Sequence, residues 1–172
     1  MSPLVVLVGP PGAGKTTVAG LLATRLGVDV LDTDRVIEAA TGQSVADIFV
    51  DHGESHFRAL EHDAVVRAVA EHRGVLALGG GAVLDPRTRE LLATEHVVFL
   101  DVGLATAVSR VGMGQARPLL LGNVRGQLRT LLDERRPVYA AVASATVATD
   151  DLTPDQVAAA VEATLSAADN PR

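Results

Sequence analysis

Gly9, Gly14, Lys15 and Thr16 stand in the spacing G-x-x-x-x-G-K-[ST] within the run GPPGAGKTT. The spacing suits a nucleotide phosphate chain. Glycines let the backbone turn tightly and point successive N–H groups at one anion. The helix expected behind the loop adds a partial positive charge. Gly12, Ala13, Gly14, Lys15, Thr16 and Thr17 then form the cradle, Lys15 reaching the β- and γ-phosphates and the Thr16 hydroxyl binding Mg²⁺.

Two acids compete for the metal side of such a site. Asp101 closes the apolar run Val97, Val98, Phe99, Leu100, the usual setting of a Walker B carboxylate. Asp32 follows a weaker run but has Asp34 two residues on. An extended chain would turn both toward one side, one to hold metal-bound waters and one to face an acceptor hydroxyl. The plainer alternative is that Asp32 ends a strand and Asp34 caps a helix.

Several basic residues and one glycine run need the same weighing. Gly79, Gly80 and Gly81 behind a strand permit close approach of a ligand to backbone N–H groups, or they form a plain loop. Arg117 before Pro118 is a lid arginine over the γ-phosphate or a solvated loop residue. Arg135 and Arg136 stand at a helix junction, where one could hold a carboxylate bidentately, although helix ends attract arginine anyway. Arg58 has Glu61 at i+3, by default a surface ion pair. His52 and His56 have i,i+4 spacing with Gly53 between them and no evident third metal ligand.

The elements that must carry these residues follow from the periodicity. The run Leu4, Val5, Val6, Leu7, Val8 reads as a buried parallel strand, and residues 17–26 as a helix with Val18, Leu21, Leu22 and Leu26 on one face. Further strands are expected at 28–32, 75–78, 97–101 and 145–148. Helices are expected at 35–40 behind an Asp34 cap, 45–50 behind Ser44, 54–72, 86–92, 104–111, 124–135, again from Pro137, and from Pro154 to about 167. Residues 112–123 lack an apolar period and read as a mobile loop. Five strands alternating with helices imply an α/β fold, a parallel sheet in a three-layer α/β/α arrangement. In such sheets the ligand sits beyond the carboxyl ends of the strands, which puts the glycine loop, Asp32, Asp34, Gly79 to Gly81 and Asp101 on one rim.

Composition sets bounds. The chain has 172 residues, 48 % of them hydrophobic and 21 % charged, which is one ordinary globular domain. No apolar run approaches membrane-span length and no basic signal region opens the chain, so neither membrane insertion nor export is expected. Zero cysteines exclude disulfides and fit a cytoplasmic protein. With 15 basic against 21 acidic side chains the net charge is -6, the wrong balance for a nucleic-acid partner. The positive field for an anionic ligand must come from a few placed residues.

Taken together, these motifs resemble shikimate kinase, within the nucleoside-monophosphate-kinase-like P-loop family. The resemblance covers nearly the whole chain. It rests on GPPGAGKTT, the triplet Asp32-Thr33-Asp34, and Gly53-Glu54 with Phe57, Arg58 and Glu61. It rests also on Gly79 to Gly81, Arg117-Pro118-Leu119, and Arg135-Arg136-Pro137 with Tyr139. The resemblance implies a sheet of order 2-3-1-4-5, a substrate-binding region near 33–61 and a lid near 112–124. It implies ATP-dependent, Mg²⁺-assisted phosphorylation of the shikimate 3-hydroxyl, in the shikimate pathway of aromatic amino-acid biosynthesis, by a cytoplasmic monomer. It favours Asp32 as a metal ligand through water and Asp34 as base. Arg58 and Arg136 become a carboxylate clamp, with Gly80 and Gly81 beside the substrate. Arg117 becomes the lid residue on the phosphates, and Arg110 a contact to adenine. One stretch departs from the family: Thr149 to Thr153 lacks the basic side chains often found next to adenine, so backbone contacts are expected there. A gluconate or nucleoside-monophosphate kinase would share the loop and lid. A nucleotide-binding regulator would have no need of Asp34.

Overall fold

The computed structural model describes residues 2–112 and 123–169. Strands β1 (Val5–Val8), β2 (Val30–Asp32), β3 (Val75–Ala77), β4 (Val97–Asp101) and β5 (Ala145–Ala148) form one parallel sheet of order β2-β3-β1-β4-β5. The central strand is the most apolar, as burial on both faces requires: all four of its residues are buried. Along it the side chains alternate between two cores. Val5 and Leu7 join Val18, Leu22, Val98 and Leu100 on one face; Val6 and Val8 join Leu76, Leu78, Phe99 and Tyr139 on the other.

Helices α1 (Lys15–Leu26) and α8 (Pro154–Ala168) pack on the first face, and α4 (Glu54–Glu71) and α5 (Pro86–Leu92) on the second. Helices α2 (Thr33–Thr41) and α3 (Val45–His52) fold against α4 in a small core of Ile37, Ile48, Phe57 and Ala64. Helices α6 (Leu104–Gly112) and α7 (Val124–Val142) flank the segment 113–122, which carries Arg117 and lies outside the described residues. No helix among the described residues is long and apolar enough to cross a membrane.

Two local expectations are corrected. Asp34 is not the cap of α2. Asp32 holds that place, its Oδ1 accepting from the backbone N–H of Asp34 at 3.0 Å and of Arg35 at 3.4 Å. The strand therefore stops at Asp32, and the two acids are not related by strand alternation. Nor does Pro137 start a new helix; it lies inside α7, which runs on to Val142. Proline in a helix interior costs roughly 3 kcal/mol. Burial of Tyr139 against Phe99 just beyond it offsets that cost.

Candidate active site

The rim above β1, β2 and β3 carries a cleft of about 340 Å³ lined by Gly14, Lys15, Thr16, Asp34, Gly80 and Arg110, among others. The loop that opens it follows β1 directly. Gly14 ends the loop at φ 86°, a left-handed conformation that only glycine adopts cheaply, and α1 starts at the next residue. The Lys15 ammonium curls back on its own loop, donating to the carbonyls of Gly9 at 2.6 Å and Pro10 at 3.0 Å. Ala13 is buried and its N–H donates to Pro10. Gly12 and Thr17 line the cleft. Arg110, from α6, donates to the Gly12 carbonyl at 2.9 Å, so a cation stands over the loop.

On the β2 side, the Thr16 hydroxyl donates to Asp32 Oδ2 at 2.9 Å. Two hard oxygen donors thus adjoin next to Lys15, a donor set that fits a divalent cation such as Mg²⁺. Asp101 is engaged elsewhere: its Oδ1 accepts from Arg136 Nε at 3.2 Å. Among the described residues no group of three or more His, Cys, Asp or Glu could hold a metal ion, and the His52 and His56 rings lie tilted against each other with centroids 4.8 Å apart.

Beside Asp34, α4, the glycine turn and α7 bring further charged side chains together. Arg58 donates to Glu61 at 2.7 Å and to Glu54 at 3.3 Å. This is more than a surface pair, because Glu61 is 3 % exposed. Burial pushes the Glu61 carboxyl up, while the charge and hydrogen bond of Arg58 pull it down. The glycine turn fits between these groups. A Cβ on Gly79 would lie 2.6 Å from Asp34 Oδ1 and 2.7 Å from Glu61 Oε2, and one on Gly81 would overlap the Arg58 guanidinium. A side chain at Gly79 or Gly81 would therefore displace the charged groups of Asp34, Glu61 and Arg58. Thr33, fully buried, accepts from the Gly79 N–H at 3.2 Å and so fixes the turn from the β2 side.

Arg136 departs from its expected place beside Arg58. It leaves α7 toward β4, bonding Asp101 and the Val102 carbonyl at 3.2 Å each, and its side chain is 42 % exposed. Arg135 instead acts on the groups beside the glycine turn: its positive charge works to lower both the Glu61 carboxyl and the Tyr139 hydroxyl. Helix geometry is the reason. Leu128, Leu132 and Tyr139 are the buried stripe of α7, and Arg135 falls in that stripe at i+3 from Leu132 and i-4 from Tyr139. Arg136 is a further ~100° round the helix. That spacing, legible in the sequence, is the signal that separates the two arginines. Thr33 and Tyr139 carry no comparable mark.

In the stretch Thr149 to Thr153 the side chains serve the fold. Thr149 donates through its hydroxyl to the Asp101 carbonyl at 3.0 Å, Asp150 accepts from the Gly103 N–H at 2.9 Å, and Thr153 caps α8.

The shikimate kinase family profile matches residues 11–166. Shikimate kinase of Salinispora arenicola is 57 % identical over 97 % of the chain and 100 % of its own length. That of Thermobifida fusca is 55 % identical over 96 % of each. Among solved structures, shikimate kinase from Acinetobacter baumannii in complex with shikimate superposes with a TM-score of 0.94 at 35 % identity, covering 99 % of this chain and 97 % of that one.

Proposed function

The chain belongs to the shikimate kinase family, and from that premise we propose how its residues transfer the γ-phosphoryl group of ATP to the 3-hydroxyl of shikimate. The observation that carries the assignment is the cluster at the glycine turn: Arg58 paired with the buried Glu61 and packed under Gly81, with the charge of Arg135 acting on Glu61 and Tyr139. A nucleoside monophosphate would need no carboxylate clamp there.

Phosphoryl transfer asks little covalent work of a protein; positioning and charge neutralisation supply most of it. Backbone N–H groups of Gly12 to Thr17 and the N-terminus of α1 hold the phosphates. Lys15 exchanges its contacts with Gly9 and Pro10 for the β- and γ-phosphates. Thr16 and, through water, Asp32 would hold Mg²⁺, which would neutralise charge on the phosphates. Asp34, lining the same cleft, orients the acceptor hydroxyl and takes its proton. Arg58 and Arg135 hold the carboxylate as bidentate donors, so the hydroxyl meets the γ-phosphate in line. Arg135 takes this role in place of Arg136, because Arg136 is held by Asp101 and the Val102 carbonyl. Gly80 and Gly81 lie beside the substrate.

Residues 33–61 serve as the substrate-binding region and 112–124 as the lid of a single kinase domain, with Arg117 over the phosphates. Lid closure after acceptor binding keeps water from being phosphorylated in its place. Arg110 flanks the nucleotide and backbone groups near Thr149 to Thr153 meet adenine. The enzyme works as a cytoplasmic monomer without nucleic-acid or membrane partners. ADP release that depends on shikimate tests this reading.

A further inference from the structure

Tyr139 is 1 % exposed, and its ring stacks on Phe99 with centroids 5.2 Å apart. A buried phenol needs a partner for its hydroxyl. Here the hydroxyl donates to the carbonyl oxygen of Gly80, and Arg135, one turn back on α7, brings its charge to the same hydroxyl. Gly80 in turn rests on the phosphate loop: a Cβ there would lie 3.3 Å from Pro11 Cδ and 3.5 Å from the Gly9 carbonyl oxygen. One hydroxyl thus joins α7, the glycine turn and the nucleotide side.

We propose that Tyr139 is a positioning residue for the acceptor, its hydroxyl locking the Arg135 guanidinium and the Gly80 peptide into one unit that the acceptor meets ready-made. The inference rests on Arg135 as carboxylate ligand, the reading given above. A hydroxyl whose proton is committed to a carbonyl leaves its oxygen as an acceptor for a guanidinium one helical turn away. Arginine carries much rotamer entropy, and fixing it during folding removes that cost from binding. The ring alone does not explain the residue, because phenylalanine would stack on Phe99 equally well and would not leave a phenol to be satisfied. Tyr139 is no part of the chemistry of transfer, so its effect falls on acceptor affinity.

Steady-state kinetics of Tyr139→Phe separates the hydroxyl from the ring. The shikimate KM is expected to rise about tenfold, the loss of a hydrogen bond to a charged group, with the ATP KM within about twofold of wild type. In an Arg135→Ala background the same change should add less than about twofold, since the group it orients is gone. Phe99→Leu, which disturbs the stack and keeps the hydroxyl, should lower the Tm while leaving the shikimate KM near wild type. An unchanged shikimate KM in Tyr139→Phe, equal rises in both KM values, full additivity with Arg135→Ala, or a tenfold KM rise in Phe99→Leu would each overturn the proposal. Turnover of shikimate by the wild-type enzyme reports separately on the reading beneath it.

Discussion

The hydroxyl of Thr16 and the carboxylate of Asp32 meet at 2.9 Å, joining the first turn of α1 to the end of β2. Asp32 serves two elements at once, since its other oxygen caps α2. Asn at that position still caps a helix through its carbonyl oxygen, yet the NH2 that replaces Oδ2 cannot accept from Thr16. Asp32→Asn should therefore keep a Tm within a few degrees of wild type. The Mg²⁺ concentration for half-maximal activity should rise at least about tenfold, the usual cost of losing an outer-sphere partner. A Mg²⁺ titration of activity checks this, and an unchanged midpoint would remove Asp32 from the metal side.

Arg135 and Arg136 should part company in kinetics. Arg135→Ala is expected to raise the shikimate KM by about thirtyfold or more, the loss of a charged bidentate contact, with the ATP KM little changed. Arg136→Ala, which frees Asp101 from an ion pair whose arginine is 42 % exposed, should change the shikimate KM by less than about threefold. The reverse order would restore Arg136 to the clamp.

Asp34 lies in the first turn of α2 and lines the cleft. Because Asp32 is the cap, Asp34→Asn leaves the helix start intact. It should lower kcat by about 100-fold or more while nucleotide affinity, read by calorimetry, stays near wild type. A near-normal kcat would leave Asp34 without a role in proton transfer. With no tryptophan in the chain, intrinsic fluorescence is a poor reporter of that affinity.

Asp85 offers a pH test of the scaffold. Its hydrogen bond with Arg87 is the chief cause that lowers its carboxyl from the ordinary 3.8 to about 2. A carboxyl lowered in the folded state stabilises the protein above its unfolded pKa, and that share is lost as pH falls through its folded value. Asp85→Asn keeps the cap of α5 and removes the charge. A small Tm deficit is expected at neutral pH, closing between about pH 4 and pH 2. Thermal melts across that range check it; a deficit constant to the acid end would mean the charge contributes nothing.

How far the sequence alone leads can be judged from particular residues. The order of strands in the sheet comes only with the family resemblance. The limits of β4 and α5 follow from an apolar run and from Pro86 behind Asp85, because local signals and tertiary packing agree there. They disagree at Pro137, where the ring of Tyr139 buried on Phe99 carries α7 through a residue that locally ends a helix. The loop between β1 and α1 is one contiguous motif, so its left-handed Gly14 and the helix start at Lys15 are legible in the sequence. The acceptor side is assembled from α2, α4, the glycine turn and α7, so Thr33 and Tyr139 gain meaning only when folding brings them to Gly79 and Gly80. Arg135 and Arg136 are chemically identical neighbours, and only the helical stripe of Leu128, Leu132 and Tyr139 distinguishes them.

The central claim, an ATP-dependent kinase whose acceptor is shikimate, is tested most directly by ADP release with ATP and Mg²⁺. Shikimate, gluconate and nucleoside monophosphates serve as parallel acceptors. Release that requires shikimate, with the others at background, is the predicted result. Turnover with gluconate or a nucleoside monophosphate in place of shikimate, or nucleotide binding with no acceptor-dependent release at all, would contradict it.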